Sequence, residues 1–400
     1  MTVLRNITSR RHHAANPSRS SPYPSIKDNP HIPNDTPSTA QLSEGPRTAS
    51  GVKKLTKRVG FISTGGTIAS IAMDEFDFMD YNAADERVSG QRILDQSGIS
   101  EIFHGAKPVI HDFQPPIDST AIQPQDWFTI AQTCNTMAQK GYPKDKIEGI
   151  VVGHGTASLE ETAWVLSLVL DLDIPVVVTG CMRPLNGKSS EAAANLLAAF
   201  RVASHESSKD KHTHPNSPGV FVVINDEIHS PRTVTKTNTL RVGAFQSPWR
   251  GPIGYVDGDT VNITSQLLSS PSNKFSPDLL RDGLPRVDIV YSHAGSDGAM
   301  VRACVAAGAR GIVSAGFGPG LGTPAEIAAF GEAIEDSNGQ VTVVQSSRLG
   351  AGVVVDSKQH QKLGIIAGND LNPQKARILL ALCLANNWTH DQIRKTFELA

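Results

Sequence analysis

Residues 148–170 read EGIVVGHGTASLEETAWVLSLVL. A short β-branched run (EGIVVG) gives way to the turn HGTA and then to a helix-length segment, SLEETAWVLSLVL. A strand that passes straight into a helix is half of a βαβ unit. The pattern recurs: IPVVVTG at 174–180 precedes SSEAAANLLAAFRVA at 189–203, and GVFVVIND follows at 219–226. Alternating strands and helices predict an α/β fold whose mostly parallel sheet is covered on both faces.

Working outward, the first strand is expected at RVGFIS, from residue 58. A second series begins after a Ser/Pro-rich passage. It runs VDIVYS (287–292), RACVAAGAR (302–310), GIVSAGF (311–317), PAEIAAFGEAI (324–334), VTVVQSS (341–347) and NPQKARILLALCLAN (372–386). The expectation is a larger N-terminal α/β domain over 57–266, a linker over 267–285 and a smaller C-terminal α/β domain over 286–400. Four hundred residues exceed what one core usually organises, which agrees with two domains plus extra length. Residues 1–55 are rich in Ser, Pro, Asn and His without an apolar period and are expected to be disordered.

Composition excludes several classes. Lys+Arg of 37 against Asp+Glu of 39 leaves a net charge of −2, with no basic block to follow a phosphate backbone, so nucleic acid is not an expected partner. No apolar run reaches the roughly 18 to 20 residues that span a bilayer, and no apolar segment follows the N-terminal basic residues as a secretory signal requires. A cytoplasmic location is expected. Arg5, Arg10, Arg11 and Arg19 precede the first acidic residue, Asp28, a composition that a mitochondrial transit peptide and a plain solvated tail share. Cys134, Cys181, Cys304 and Cys383 lack metal-ligand spacing and read as buried reduced thiols. The insertion SHESSKDKHTHPNSPG at 204–219 holds three histidines, yet its Ser, Lys, Pro and Asn suit a surface loop better than a metal site. No metal and no cofactor are implied.

Ligands of α/β sheets bind beyond the carboxyl ends of the strands, so the turns there come first. In STGGTIAS (63–70), Gly65 and Gly66 permit a sharp turn that exposes the Thr67 hydroxyl. A phosphate cradle is the rival, but neither spaced dinucleotide-fold glycines nor a Gly-Lys-Ser/Thr P-loop is present. Alone, the stretch favours a structural turn over a catalytic one. GHGTASLEETA places Thr156 at a strand end, before a helix N-terminus able to attract a carboxylate. SPRTVTKTNT supplies Lys236 between Thr235 and Thr237; desolvated among small residues it can act as a base, and otherwise it is an ordinary exposed lysine.

In combination, TGGTIAS, HGTASLEETA, GCMRPLNGKSSEAAANL, NDEIHSPRTVTKTN and LNPQKARILL resemble the bacterial-type L-asparaginase family of amidohydrolases, in that family's order, from about residue 57 to the C-terminus. The resemblance implies hydrolysis of L-asparagine to L-aspartate and ammonia. It also implies an active site completed by a neighbouring subunit, in a homodimer or homotetramer. By the same resemblance Thr67 is the nucleophile, Tyr81 the lid tyrosine that activates it, and Ser119 the holder of the substrate's α-carboxylate. Thr156 is the second threonine and Lys236 its partner, with oxyanion donors from backbone amides near Thr156.

Two positions depart from the family pattern. Ala157 stands where the family has an aspartate that orients the lysine and binds the α-ammonium group, and Thr120 stands where a glutamine usually helps to hold the same ammonium. The partner subunit's ammonium ligands have no clear counterpart in YSHAGSDG or LGAGVVVDSKQH. Carboxylate and amide handling therefore look retained and amine handling eroded. Glu160 and Asp226 are carboxylates that could orient Lys236 instead. The alternatives are an amidase for a carboxamide without a free α-amino group, a non-catalytic descendant that binds a dicarboxylate or amino acid, and a nucleotide-dependent oxidoreductase, whose phosphate and ribose signatures are missing.

Overall fold

A computed structural model describes residues 51–81, 87–139, 146–206, 219–265 and 275–399. Outside these residues lie nearly all of the N-terminal extension with its arginines, most of the histidine-bearing insertion, and the first part of the expected linker.

The first domain holds strands β1 (Gly60–Gly65), β2 (Val109–Ile117), β3 (Ile150–Gly153), β4 (Val176–Thr179), β5 (Val220–Ile224) and β6 (Glu227–His229). After β6 come the short pair β7 (Thr235–Lys236) and β8 (Phe245–Gln246), then the hairpin β9 (Gly254–Asp257) and β10 (Thr260–Ile263). Its helices are α1 (Gly90–Gln96), α2 (Pro124–Ala138), α3 (Leu159–Val169) and α4 (Ala192–Ser204). The main sheet runs β10-β9-β6-β5-β4-β3-β1-β2, parallel from β5 to β2 and antiparallel from β5 to β10.

The continuous apolar runs of the central strands follow from burial on both faces. Ile150 and Val152 of β3, with Val176 and Val178 of β4, enter the core that α2 and α3 cover. Val151 and Val177, one residue out of phase, enter the core beneath α4. A side-chain period of two with helices on each side demands an apolar residue at every position.

The second domain consists of β11 (Val287–Tyr291), α5 (Ala299–Ala306), β12 (Gly311–Gly316), α6 (Pro324–Asp336), β13 (Thr342–Ser347), α7 (Lys358–Lys362) and β14 (Ile366–Ala367). Helices α8 (Pro373–Ala385) and α9 (His390–Leu399) complete it. Its sheet, β11-β12-β13-β14, is parallel throughout. Ile312 and Val343 face a small core with Ala329 and Phe330 of α6. Val313 and Val344, on the opposite face, join Leu379 and Leu382 of α8 in the same apolar cluster as α2 and α3, so one core runs through both domains. Helix α8 starts where LNPQK says it should: Asn372 caps the Lys375 amide and Pro373 takes the first turn, where no N–H is needed.

The strand order sets the site. From β1 the chain crosses to β2 on one side, and from β3 it proceeds to β4 on the other. Connections diverging from adjacent parallel strands open a crevice at their carboxyl ends. Thr67 follows β1 and Thr156 follows β3.

Candidate active site

At that crevice the two glycine turns touch. Gly66 has φ 73° and ψ −169°, a region almost closed to residues with a side chain. A Cβ on it would lie 2.2 Å from the Gly155 Cα, and a Cβ on Gly155 would lie 2.4 Å from the Ser119 Oγ. Only glycine at both positions lets the loops after β1, β2 and β3 meet, which brings together the residues that follow: Thr67, Ser119 and Thr156. All three are buried.

The Thr67 Oγ1 lies 2.7 Å from the Tyr81 Oη, so the tyrosine caps the hydroxyl. Lys236 Nζ donates to Thr156 Oγ1 at 2.9 Å. The lysine comes from β7, well after the main strands, and reaches back over the β3 turn. Burial lowers its pKa from the usual lysine value, and the Glu160 charge partly opposes that shift. Of the two carboxylates expected as substitutes for the missing aspartate, Glu160 is thus the one whose field reaches Lys236. Asp226 is exposed at the β5–β6 turn, where the two strands reverse, and is corrected out of the site.

Ser119 Oγ accepts from the Ala157 amide at 3.3 Å, and Ser158 Oγ donates to the Ser119 carbonyl at 2.5 Å, joining the β2 end to the start of α3. Thr120 is exposed, and its hydroxyl and amide both bond to Asp118 Oδ1, at 3.0 Å and 2.9 Å. Ala157 presents only a methyl group to a cleft of about 520 Å³, whose wall includes Ser119, Thr120, Glu161, Gln374 and Arg377. Burial raises the Glu161 pKa, and the charge of Arg377 opposes the rise. The single carboxylate in this wall is therefore matched by a cation in the same wall. Lys236 opens on an adjoining hollow of about 490 Å³, shared with Arg232, Arg250 and Arg348. Thr67 and Thr156 line neither hollow; they lie at the seam where the loops meet.

Support for this seam that the sequence motifs did not single out comes from α8. Lys375, 1 % exposed, donates to the carbonyls of Arg232 (3.1 Å) and Val234, fixing the segment that leads to Lys236. Burial pulls its pKa down to about 8, against the pull of Glu160, whose Oε2 is 4.0 Å away. Gln374 Nε2 donates to the other Glu160 oxygen at 3.3 Å. Arg232 pairs with Asp370, tying the same segment to the second domain. LNPQKARILL contains Gln374 and Lys375, but its pattern signals only a helix start. The four cysteines are buried and unpaired, with burial pushing the Cys134 thiol up to about 12.

Comparison with known proteins follows the same division of the chain. Residues 58–269 match the family model "Asparaginase, N-terminal", and residues 286–397 match "Glutaminase/Asparaginase C-terminal domain". L-asparaginase 2 of Bacillus subtilis is 32% identical over 363 residues, covering 90% of this chain and 91% of that protein. L-asparaginase 2 of Escherichia coli is 32% identical over 369 residues (87% and 95%), and a glutaminase-asparaginase of Pseudomonas fluorescens is 32% identical over 347 (85% and 89%). Among solved structures, a probable cytoplasmic L-asparaginase from Campylobacter jejuni superposes with a TM-score of 0.75 at 31% identity, over 86% of this chain and 99% of its own. The fold and these relatives define a hydrolase acting on amide C–N bonds. The chain belongs to the asparaginase family.

Proposed function

We propose that this protein hydrolyses a small carboxamide through Thr67, with L-asparagine, cleaved to L-aspartate and ammonia, as the expected substrate. The observation that carries the reading is the contact between Gly66 and Gly155, because it sets the two threonine loops side by side at the sheet's switch point. Thr67 Oγ1 attacks the amide carbon, and as its proton moves to Tyr81 Oη, 2.7 Å away, the phenol passes its own to the departing nitrogen, so that the tyrosine ends neutral. Collapse of the tetrahedral adduct expels ammonia and leaves an ester on Thr67. Water, activated at the Thr156–Lys236 pair, then frees the acid. Ser119 and the amide at the start of α3 receive the carboxylate of the substrate.

A second reading is favoured by Ala157: the substrate lacks a free α-amino group. Asp118 already engages Thr120, and Arg377 balances Glu161, so the wall beside Ala157 offers an ammonium group no uncompensated carboxylate. Losing one charged hydrogen bond costs about 1.5–3 kcal/mol, which is roughly 10- to 150-fold in affinity. Self-association into dimers or tetramers goes with this reading; Tyr291, Leu349 and Val355 of the second domain expose apolar surface of the kind a partner covers. So does a cytoplasmic location, the one in the Campylobacter relative's name.

Ammonia release from L-asparagine, L-glutamine and succinamate, measured for the wild type and for Thr67→Ala, tests both readings. The alanine variant is expected to lose at least about 1,000-fold in kcat. Equal release by both proteins would remove Thr67 as nucleophile. A strong preference for L-asparagine over succinamate would remove the second reading and leave the first.

A further inference from the structure

Three buried polar side chains beneath the second threonine form a chain to which the reaction above gives no part. Trp127 Nε1 of α2 donates to Thr162 Oγ1 of α3 at 2.9 Å. Thr162 Oγ1 lies 3.0 Å from His154 Nε2, and His154 Nδ1 lies 2.8 Å from the Gly155 carbonyl oxygen. None of the three residues is more than 4 % exposed. The chemistry of the two ends fixes every direction between them. An indole N–H only donates, and a carbonyl oxygen only accepts. Thr162 therefore accepts from Trp127 and gives its own proton to Nε2, and His154 must carry its proton on Nδ1 to bond the carbonyl. The other tautomer would set two lone pairs face to face at 2.8 Å. Burial holds the imidazole neutral, with a pKa lowered to about 4.

The bond to Gly155 acts on the next amide. The Gly155–Thr156 peptide is trans, so its C=O and N–H point in opposite directions. With the carbonyl drawn down into the packing of α2 and α3, the Thr156 N–H turns toward the crevice. It donates to no group among the described residues. The first threonine has a matching device: the Gly66 carbonyl accepts from the Ala69 amide at 3.0 Å and from Ser70 Oγ at 2.9 Å, which leaves the Thr67 N–H facing the other way.

We propose that His154 is a positioning residue: locked by Thr162 and Trp127 as the Nδ1–H tautomer, it clamps the Gly155 carbonyl and thereby aims the Thr156 N–H at the oxyanion of the tetrahedral adduct. This rests on the amidohydrolase reading. A preset donor needs no reorganisation as charge develops, which is where such donors derive their effect. Freed of the clamp, the peptide rotates and the donor is only sometimes in place.

Histidine-selective ¹⁵N labelling of the full-length protein reads the tautomer, with the signal assigned by its loss in His154→Asn. The expected result is a neutral Nδ1–H imidazole that does not titrate between about pH 5 and 8. An Nε2–H imidazole, or an imidazolium, overturns the proposal. On the amide that the wild type cleaves fastest, His154→Leu is expected to lower kcat about 10- to 100-fold, short of outright donor removal, with KM nearly unchanged. His154→Asn, whose side-chain amide can still donate to the Gly155 carbonyl, recovers most of the loss. Equal losses in the two variants, or a change confined to KM, also overturn it. Should His154→Leu fail to fold, Thr162→Val serves: it releases Nε2 and is expected to give mixed tautomers with a smaller fall in kcat, and an unchanged tautomer and rate would count against the clamp. A wild type that releases no ammonia from any amide sinks both readings, whereas an active wild type with the wrong tautomer sinks only this one.

Discussion

The turns that carry Thr67 and Thr156 are in contact, and the two hydroxyls are held at 2.7 Å by Tyr81 and at 2.9 Å by Lys236. A few residues along, where the substrate's α-substituent would lie, position 157 offers a methyl group and the Thr120 hydroxyl is already engaged by Asp118. The first region is built from backbone: glycines in contact, carbonyls tied down, and a buried lysine on α8 bracing the segment before β7. Almost any change there disturbs packing. The second is an exposed side chain just before α3. On the proposed reading, recognition of an amine is lost while the apparatus for cleaving an amide stays intact.

The largest effect that would break this contrast is expected at Lys236. Burial favours the neutral amine, so its folded pKa lies below the ordinary lysine value of 10.5. A neutral amine is the form that accepts a proton, so kcat/KM is expected to rise with pH and to level off below pH 10.5. Lys236→Arg keeps the charge and cannot deprotonate. It is expected to lose about 100- to 10,000-fold in kcat and to abolish the rise. A pH profile shared by both proteins would show that the well-held region is not held for proton transfer. Glu160→Gln sharpens the same point: without the charge that opposes desolvation, the rise should move to lower pH.

The unequal construction also explains what the sequence disclosed. Strands β3, β4 and β5 were legible because burial on both faces leaves unbroken apolar runs, and α8 because Asn372 and Pro373 mark its start. Thr67, Thr156 and Lys236 stood out as candidates through their glycine and threonine neighbours, and only the resemblance of the combined motifs implied their roles. The bracing was not. Trp127, Thr162 and His154 come from three elements and look, one by one, like ordinary core residues; Lys375 lies 139 positions after Lys236 and looks like a surface residue of an amphipathic helix. Asp226 was a plausible neighbour by sequence and is exposed by topology, since β5 turns antiparallel into β6 just there. Interactions between remote segments leave no period and no spacing, so only the fold reveals them.

A smaller effect, of opposite sign, is expected on the poorly equipped side. Ala157→Asp restores a carboxylate where the wall has none to spare, at an exposed position that tolerates it. The ratio of kcat/KM for L-asparagine to that for succinamate should rise about 10- to 150-fold, as one charged hydrogen bond predicts. The rate on succinamate should change little, because it has no ammonium group to meet the new charge. A ratio that stays put would mean that the amine is already bound by another group, with Glu161 the first to examine by Glu161→Gln.

The smallest effect is expected at Thr120, and its size separates two causes of weak amine binding. Thr120→Gln places a neutral carbonyl oxygen in reach of an ammonium group and releases Asp118 from the hydroxyl bond, leaving it the one from the backbone amide of residue 120. A neutral acceptor at an exposed position contributes about 0.5–1.5 kcal/mol, so the same ratio should rise only about 2- to 12-fold. In an Ala157→Asp background the gain should multiply if the two side chains act on the ammonium independently. If Thr120→Gln alone instead matches the aspartate, the freed Asp118 carboxylate has become the amine's partner. The double variant Thr120→Gln with Asp118→Asn would then lose the gain, and the poverty of this side of the cleft would lie in how its loop is tied rather than in which residue stands at 157.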